Sequence, residues 1–361
     1  MLMSESEILF EVRGTLGLVT LNRPRAVNAL TGSMVDAMLQ TLTTWASDPA
    51  IAQVLVHGAG DRGLCAGGDI VAIHRDISAG GRQTADFWDT EYRLNALINS
   101  YPKPYIAYMD GLVLGGGVGI SAHGSHRIVT ERTRSGMPET TLGFCPDVGG
   151  TYLLSRSPGH SGIHAALTGD HLGGAEAIYL GLADYLVDSA RFPQLLERLQ
   201  DHPVEQVLPR FVLPQPVANL ETWAEWIDVA YARPTVLEII ATLHEFGLSG
   251  NGQAQKTIET LAKKSPTALA VTLESLHRAG NLESLEAVLE QEYRVGLRFL
   301  ESDDFPEGIR AQVIDKDYAP VWNPATLHDV TPESVAAFFA PLGEHELRLT
   351  PSSSVTQTIE S

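Results

Sequence analysis

Two carboxylates eight residues apart, Glu139 and Asp147 in MPETTLGFCPDVGGTYLLSR (137–156), are the side chains best suited to acid–base work in this sequence. Glu139 follows Pro138, and Asp147 lies between Pro146 and the Gly149-Gly150 pair. Both sit among apolar neighbours, where lost hydration raises a carboxyl pKa toward the range in which general acids and bases operate. The plainer alternative makes Asp147 the cap of a helix over 148–156 and Glu139 a surface acid. Upstream stand two glycine turns, CAGGD (65–69) and LGGGVG (114–119), each expected to open a helix. Such turns leave backbone N–H groups uncovered by side chains, and the helix dipole favours negative charge there. Two of these N–H groups converging on one carbonyl oxygen would form an oxyanion hole. Close helix packing accounts for the glycines equally well.

Other motifs lead nowhere comparable. Gly58, Gly60 and Gly63 fit the spacing of a dinucleotide fingerprint, but a second turn follows instead of a helix. No Walker lysine follows a glycine cluster, and no G-x-S-x-G elbow occurs. His123 and His126 have a ligand-like spacing without a neighbouring acid or cysteine, which favours core or surface histidines and no metal site. Cys65 and Cys145 cannot supply a disulfide framework or a Cys-rich zinc site, although one bridge between them is arithmetically open.

The elements that must position these residues follow from periodicity. Residues 8–22 read as two strands around a glycine turn, and Thr31 caps a helix reaching about Ala46. Its apolar set Met34, Val35, Met38, Leu39, Leu42 and Trp45 recurs at three- and four-residue steps. Strands at 51–56, 104–110 and 127–130 alternate with helices at 87–100 and from the second glycine turn through Ile120. This is α/β layering with crossover connections, over a domain spanning 1–190. A linker-like stretch with Pro203, Pro209, Pro214 and Pro216 leads into a helical region, 191–350, with helices at 234–246, 252–264, 266–279 and 282–301. The polar tail 351–361 reads as disordered.

Composition bounds the partners. The 361 residues are 44 % apolar, enough for a sizeable core. Lys and Arg number 25 against 44 Asp and Glu, a formal charge of −19. That balance argues against nucleic acid, and the lack of a basic amphipathic stretch argues against a membrane surface. The start, MLMSESEILFEV, lacks a basic segment followed by a long apolar one, and no 18-residue apolar run occurs. A soluble, cytoplasmic protein is expected.

Four segments taken together resemble the crotonase, or enoyl-CoA hydratase/isomerase, superfamily. They are LNRPRAVNAL (21–30), GLCAGGDI (63–70), PYIAYMDGLVLGGGVGIS (104–121) and MPETTLGFCPDVGGTYLL (137–154), matching in order and spacing across about residues 8–190. The resemblance implies an α/β spiral of ββα units, an acyl-CoA substrate, and assembly into a homo-oligomer, a trimer or hexamer. It also implies that the N–H groups of Gly68 and Gly116 polarise the thioester carbonyl. Asn28, Ala29, Ala66, Asp69 and Ile70 would line the coenzyme A channel, with Arg25 a phosphate contact. Coenzyme A would arrive as part of the substrate, so no separate cofactor is implied.

One departure steers the chemistry. Hydratases of this superfamily carry two glutamates, and the first would fall at Gly119, which has no acid–base group. The second matches Glu139. GGGVG, MPET and PDVGG instead resemble the 3-hydroxyisobutyryl-CoA hydrolase branch. So do SPTALAVTLESL (265–276), EYRVGLRFL (292–300) and DFPEGIRAQVIDKDYAPVWNP (304–324), which look like that branch's helical C-terminal region. This likeness implies hydrolysis of a short β-hydroxyacyl-CoA thioester in valine breakdown, with Glu139 as nucleophile or general base. Asp147 would handle protons and bind the substrate hydroxyl. Glu91, in FWDTEYRLN, matches a substrate-contacting position, against the plainer reading of a solvated helix acid. Cys145 replaces the residue usual between Phe and Pro and would alter packing only. The acidic balance is no obstacle to a phosphate-bearing ligand. Residues 191–361 hold 13 basic and 25 acidic residues, leaving the catalytic half less acidic, with Arg23, Arg25 and Arg62 near its turns.

Overall fold

A computed structural model describes residues 6–349; the tail 351–361 therefore lies outside the described residues. Strands β1 (Ile8–Arg13) and β2 (Leu16–Leu21) form a hairpin whose turn uses Gly14 at φ +59°. Helix α1 (Gly32–Ser47) starts where the Thr31 hydroxyl accepts the Met34 N–H, and it buries Met34, Val35, Met38, Leu42 and Trp45. Beyond the hairpin the large sheet is parallel and continues through Gln53–Gly58, Tyr105–Met109, His126–Thr130 and, at the far edge, Tyr185–Val187. Its inner strands β3 (Gln53–Gly58), with Val54–Val56, and β5 (Tyr105–Met109) carry unbroken buried apolar runs because parallel strands are covered on both faces. The strand expected at 51–56 is displaced to Gln53–Gly58, since Gln53 is the residue that pairs with Leu16.

A second, three-stranded sheet organises the site. Short strands β4 (Gly63–Cys65), β6 (Leu112–Leu114) and β8 (Arg134–Gly136) lie side by side in parallel, in the order β4-β6-β8. Each follows a strand of the large sheet: β3, β5 and β7 (His126–Thr130) respectively. Each then runs into a turn and a helical segment: α2 (Ile70–Ser78), the single turn α4 (Gly116–Gly119), and a 3₁₀ turn at Glu139–Leu142. Three ββα turns are thus stacked so that three small-sheet strand ends point the same way. Gly58 to Gly63 leads into β4 and not a helix, which removes the dinucleotide reading.

Helix α3 (Gln83–Asn99) begins earlier than expected because the Asp76 carboxylate accepts both the N–H and hydroxyl of Thr84, each at 2.7 Å. Only 212–217 of the proline-rich stretch is an exposed connection without helix or strand; the part before it is packed. Leu195, Leu199, Val204 and Val207 pack beneath the large sheet in a second core with Leu55 and Ile106. Gln53 bonds the carbonyls of Leu199 and His202 and the Val204 N–H, fastening this stretch to β3. Helices Val236–Leu248, Gly252–Leu261, Pro266–Ala279 and Leu285–Leu300 follow. Their buried apolar residues share one contiguous core with Trp88, Tyr92 and Val118 of the α/β part.

Candidate active site

Because β4, β6 and β8 are neighbours, the turns after them converge. A Cβ built on Gly116 would stand 3.5 Å from the Gly68 nitrogen and 2.6 Å from Glu91 Oε1. One built on Gly115, at φ +51°, would stand 2.8 Å from Glu139 Oε1. Bare backbone at these turns is therefore a requirement of the close approach. Among the described residues, neither the Gly68 nor the Gly116 N–H has a hydrogen-bond acceptor. A narrow cleft opens beside them, lined by Ala66, Gly68, Ile70, Glu91, Gly116, Glu139 and Asp147, with an aromatic wall of Trp88, Phe144 and Phe305. Trp88 and Phe305 both stack on Phe144 or each other, with Phe144–Phe305 centroids 4.6 Å apart.

Three carboxyl groups are buried around this cleft. Glu91 and Glu139 are 2 % and 7 % exposed, so neither is a surface acid. Among the described residues, Glu91 Oε1 and Glu139 Oε2 have no hydrogen-bond partner although both are buried. Burial and then the Asp147 charge push both carboxyls well above the usual carboxylate range. Asp147 rises to about 7, through burial that outweighs the hydrogen bond from the Tyr92 hydroxyl (2.8 Å). It caps no helix with its side chain; α5 (Gly150–Leu154) begins three residues later. Lys264, reaching in from the C-terminal region, donates to the Thr141 hydroxyl, and its charge opposes the rise at Glu139.

The turn bearing Asp147 is strained. Val148 holds φ +52° and Gly149 +79°. A β-branched residue in the left-handed region costs about 1–2 kcal/mol. His123 Nε2 donates to the Val148 carbonyl at 2.8 Å, which gives that buried histidine a structural task. Burial lowers its pKa to about 4. Val148 also explains position 119: a Cβ on Gly119 would meet Val148 Cβ at 2.6 Å and Asn95 Nδ2 at 3.0 Å.

The remaining candidates sit off the cleft. Asn28 is fully buried, accepting the Arg23 N–H and donating to the carbonyls of Ala59 and Gly63, so its side chain pins a loop. The Asp69 carboxylate caps α2 at Ala72 and pairs with Arg23, which also bonds the Ala29 carbonyl. Arg25 lies exposed on a 3₁₀ turn (Pro24–Ala26). Cys65 and Cys145 are buried and free, and burial lifts Cys65 to about 12. Among the described residues no group of three or more His, Cys, Asp or Glu is placed to hold a metal.

The convergent glycine turns on stacked ββα units define a class: the chain belongs to the enoyl-CoA hydratase/isomerase family, whose profile matches residues 16–339. Within that family it is similar over nearly its full length to curated 3-hydroxyisobutyryl-CoA hydrolases. The mitochondrial 3-hydroxyisobutyryl-CoA hydrolase of Danio rerio is 39 % identical over 355 residues, covering 95 % of this chain and 92 % of the relative. That of Gallus gallus is 37 % identical over 357 residues, covering 96 % and 92 %. A crystal structure of a carnitinyl-CoA dehydratase from Mycobacterium thermoresistibile, 46 % identical, superposes with a TM-score of 0.92 over 96 % of this chain and 100 % of its own. The cytoplasmic expectation is overturned here: these curated relatives are mitochondrial proteins. Net charge and apolar runs carry no compartment address. No helix among the described residues is long and apolar enough to cross a membrane.

Proposed function

We propose that this protein hydrolyses a short β-hydroxyacyl-CoA thioester, with 3-hydroxyisobutyryl-CoA the foremost substrate. The observation that carries this reading is the grouping of three buried carboxyls beneath two unpartnered backbone N–H groups, with glycine at position 119. The thioester oxygen would accept from the Gly68 and Gly116 N–H groups, which stabilise the charge it gains on attack; one such donor contributes about 2.7–4 kcal/mol. Glu139, once ionised, either takes a proton from the attacking water or bonds the carbonyl carbon itself. In the first route the water oxygen bonds the carbon, the C–S bond breaks, and a proton passes to the thiolate. In the second, C–S cleavage leaves a mixed anhydride that water then opens. Asp147, near neutrality in its pKa, moves the proton and faces the substrate hydroxyl. Coenzyme A enters and leaves as substrate, so the reaction needs no resident cofactor. Assembly into trimers or hexamers goes with the family likeness and is read by light scattering.

A second reading, addition or removal of water across a double bond, is favoured by the name of the 46 % identical Mycobacterium protein, a dehydratase. A panel of acyl-CoA esters assayed in parallel for thiol release and for change in enoyl absorbance separates the two. Thiol release that dominates on β-hydroxy esters is the expected result. Enoyl hydration at a comparable rate would overturn the hydrolase reading. Single turnover in ¹⁸O water then tests the anhydride route, since label enters Glu139 only when water opens an anhydride at the Glu139 carbonyl.

A further inference from the structure

Asp147 faces the cleft only because the chain turns sharply after it, through left-handed Val148 and Gly149. A valine does not hold that conformation unaided, so the surroundings must impose it. Three donors leave the turn, and all go to one carboxylate. The Gly149 N–H donates to Glu292 Oε2 at 2.6 Å, while the Thr151 N–H and hydroxyl donate to Oε1 at 3.0 and 2.5 Å. Glu292 lies on helix Leu285–Leu300 and is 1 % exposed. A buried carboxylate is costly to desolvate and persists where its hydrogen bonds are complete.

We propose that Glu292 is a positioning residue: its carboxylate clamps the 148–151 turn from the helical region and thereby presents Asp147 to the cleft. His123 holds the Val148 carbonyl, and Tyr92 holds the Asp147 carboxyl. The clamp needs two acceptor oxygens. A glutamine in its place would turn an NH2 group toward one set of donors, so Glu292→Gln breaks half of it. Glu292→Asp keeps both oxygens on a shorter stem and should restore part of the function. The chemistry of this site is that of the proposed hydrolase, and the kinetic arm of the test rests on that reading.

The experiment compares wild type, Glu292→Gln and Glu292→Asp by hydrogen exchange and by thiol release from 3-hydroxyisobutyryl-CoA. Glu292→Gln is expected to expose the Gly149 and Thr151 amides to exchange while the large sheet keeps its protection. It should lower kcat by about 10²-fold, as for a misplaced catalytic group, with KM little changed. Glu292→Asp should fall between. Unchanged exchange at 148–151 would overturn the proposal, as would a uniform loss of protection across the chain in both variants. If Glu292→Gln does not fold, the aspartate variant decides by the same exchange pattern. A wild-type protein that releases no thiol would refute the hydrolase reading alone, because the exchange arm still tests the clamp.

Discussion

Gly68, Gly116 and Glu139 stand at the ends of three adjacent strands, each of which is only three residues long. Glu292, Lys264 and Phe305 reach the same place from beyond residue 260, by routes with no common pattern. The α/β part thus supplies repeated backbone geometry and the reacting carboxyl, whereas the helical part supplies single side chains that brace turns or close a wall. Repetition suits the first task because each ββα unit delivers a strand end at the same level. The second task needs long-range packing, which the shared core provides. Substitutions in the first part should therefore remove chemistry, and those in the second should change its geometry or selectivity.

The largest effect tests the first half of that contrast. Glu139→Gln keeps the side-chain shape but removes the base, and should lower kcat by about 10²–10⁴-fold with KM nearly unchanged. Steady-state thiol release measures this; turnover within a few-fold of wild type would detach Glu139 from the reaction.

Gly119→Glu asks whether the missing carboxylate can simply be restored. Its Cβ would lie 2.6 Å from Val148 Cβ, which is a branch point and cannot swing away. Overpacking of this kind costs about 1–3 kcal/mol, and the buried acid adds to it. Thermal melting should show the loss, without any gain in crotonyl-CoA hydration. Adding Val148→Gly should recover stability, because glycine frees the space and tolerates the left-handed φ. A stable Gly119→Glu protein with hydratase activity would break the argument that Val148 closes this position.

How far the sequence discloses this design depends on whether a residue's partners are near it in the chain. Thr31, the α1 stripe and the apolar strands are legible, because capping and periodicity are local signals. The glycine turns and the Glu139–Asp147 pair are legible as patterns, but their meeting is not. It depends on β4, β6 and β8, which are too short to show an alternation. Glu292 belongs to the helix expected at 282–301, yet nothing beside it marks it as buried; its partners lie 141–143 residues earlier. His123 is visible only as one half of a pair with His126, whereas its actual partner is the Val148 carbonyl. The one-turn helix at Gly116 ends where expected, with Ile120 as its cap.

A smaller, graded effect concerns pH. Burial pushes the Asp147 carboxyl up to about 7, well above the ordinary aspartate range. If its ionised form takes part in turnover, kcat/KM should fall as pH drops below about 7, and Asp147→Asn, which also removes the charge that raises Glu139, should move that limb to lower pH. Stability runs the other way. A carboxyl whose pKa is raised on folding binds protons more tightly in the native state. Its stabilising contribution is complete below about 4 and is lost as pH rises through about 7. Glu139, raised by burial and by the Asp147 charge, acts in the same sense. Melting temperature should therefore be higher on the acid side of neutrality, and Asp147→Asn should flatten the difference. A melting temperature that climbs with pH through this window would contradict both assignments.

Phe305 gives the smallest effect and the finest test of the contrast. It is 1 % exposed, stacks on Phe144 at 4.6 Å, and sits 6.4 Å from Trp88, completing the aromatic wall from the helical part. Its short helix (Asp304–Ile309) is fastened by the Asp304 carboxylate, which accepts the Asn323 N–H at 2.7 Å. If the helical part merely braces the site, Phe305→Ala should depress kcat/KM equally for every acyl-CoA. If Phe305 bounds the acyl pocket, the ranking should change: four-carbon esters weaken while longer chains gain. One methylene in such a pocket shifts kcat/KM by about 10–200-fold, so a change of order among C4, C6 and C8 esters is resolvable. The expected result is a reordering, because a residue that lines the cleft touches the substrate whichever part of the chain it comes from. A uniform loss would return Phe305 to the brace.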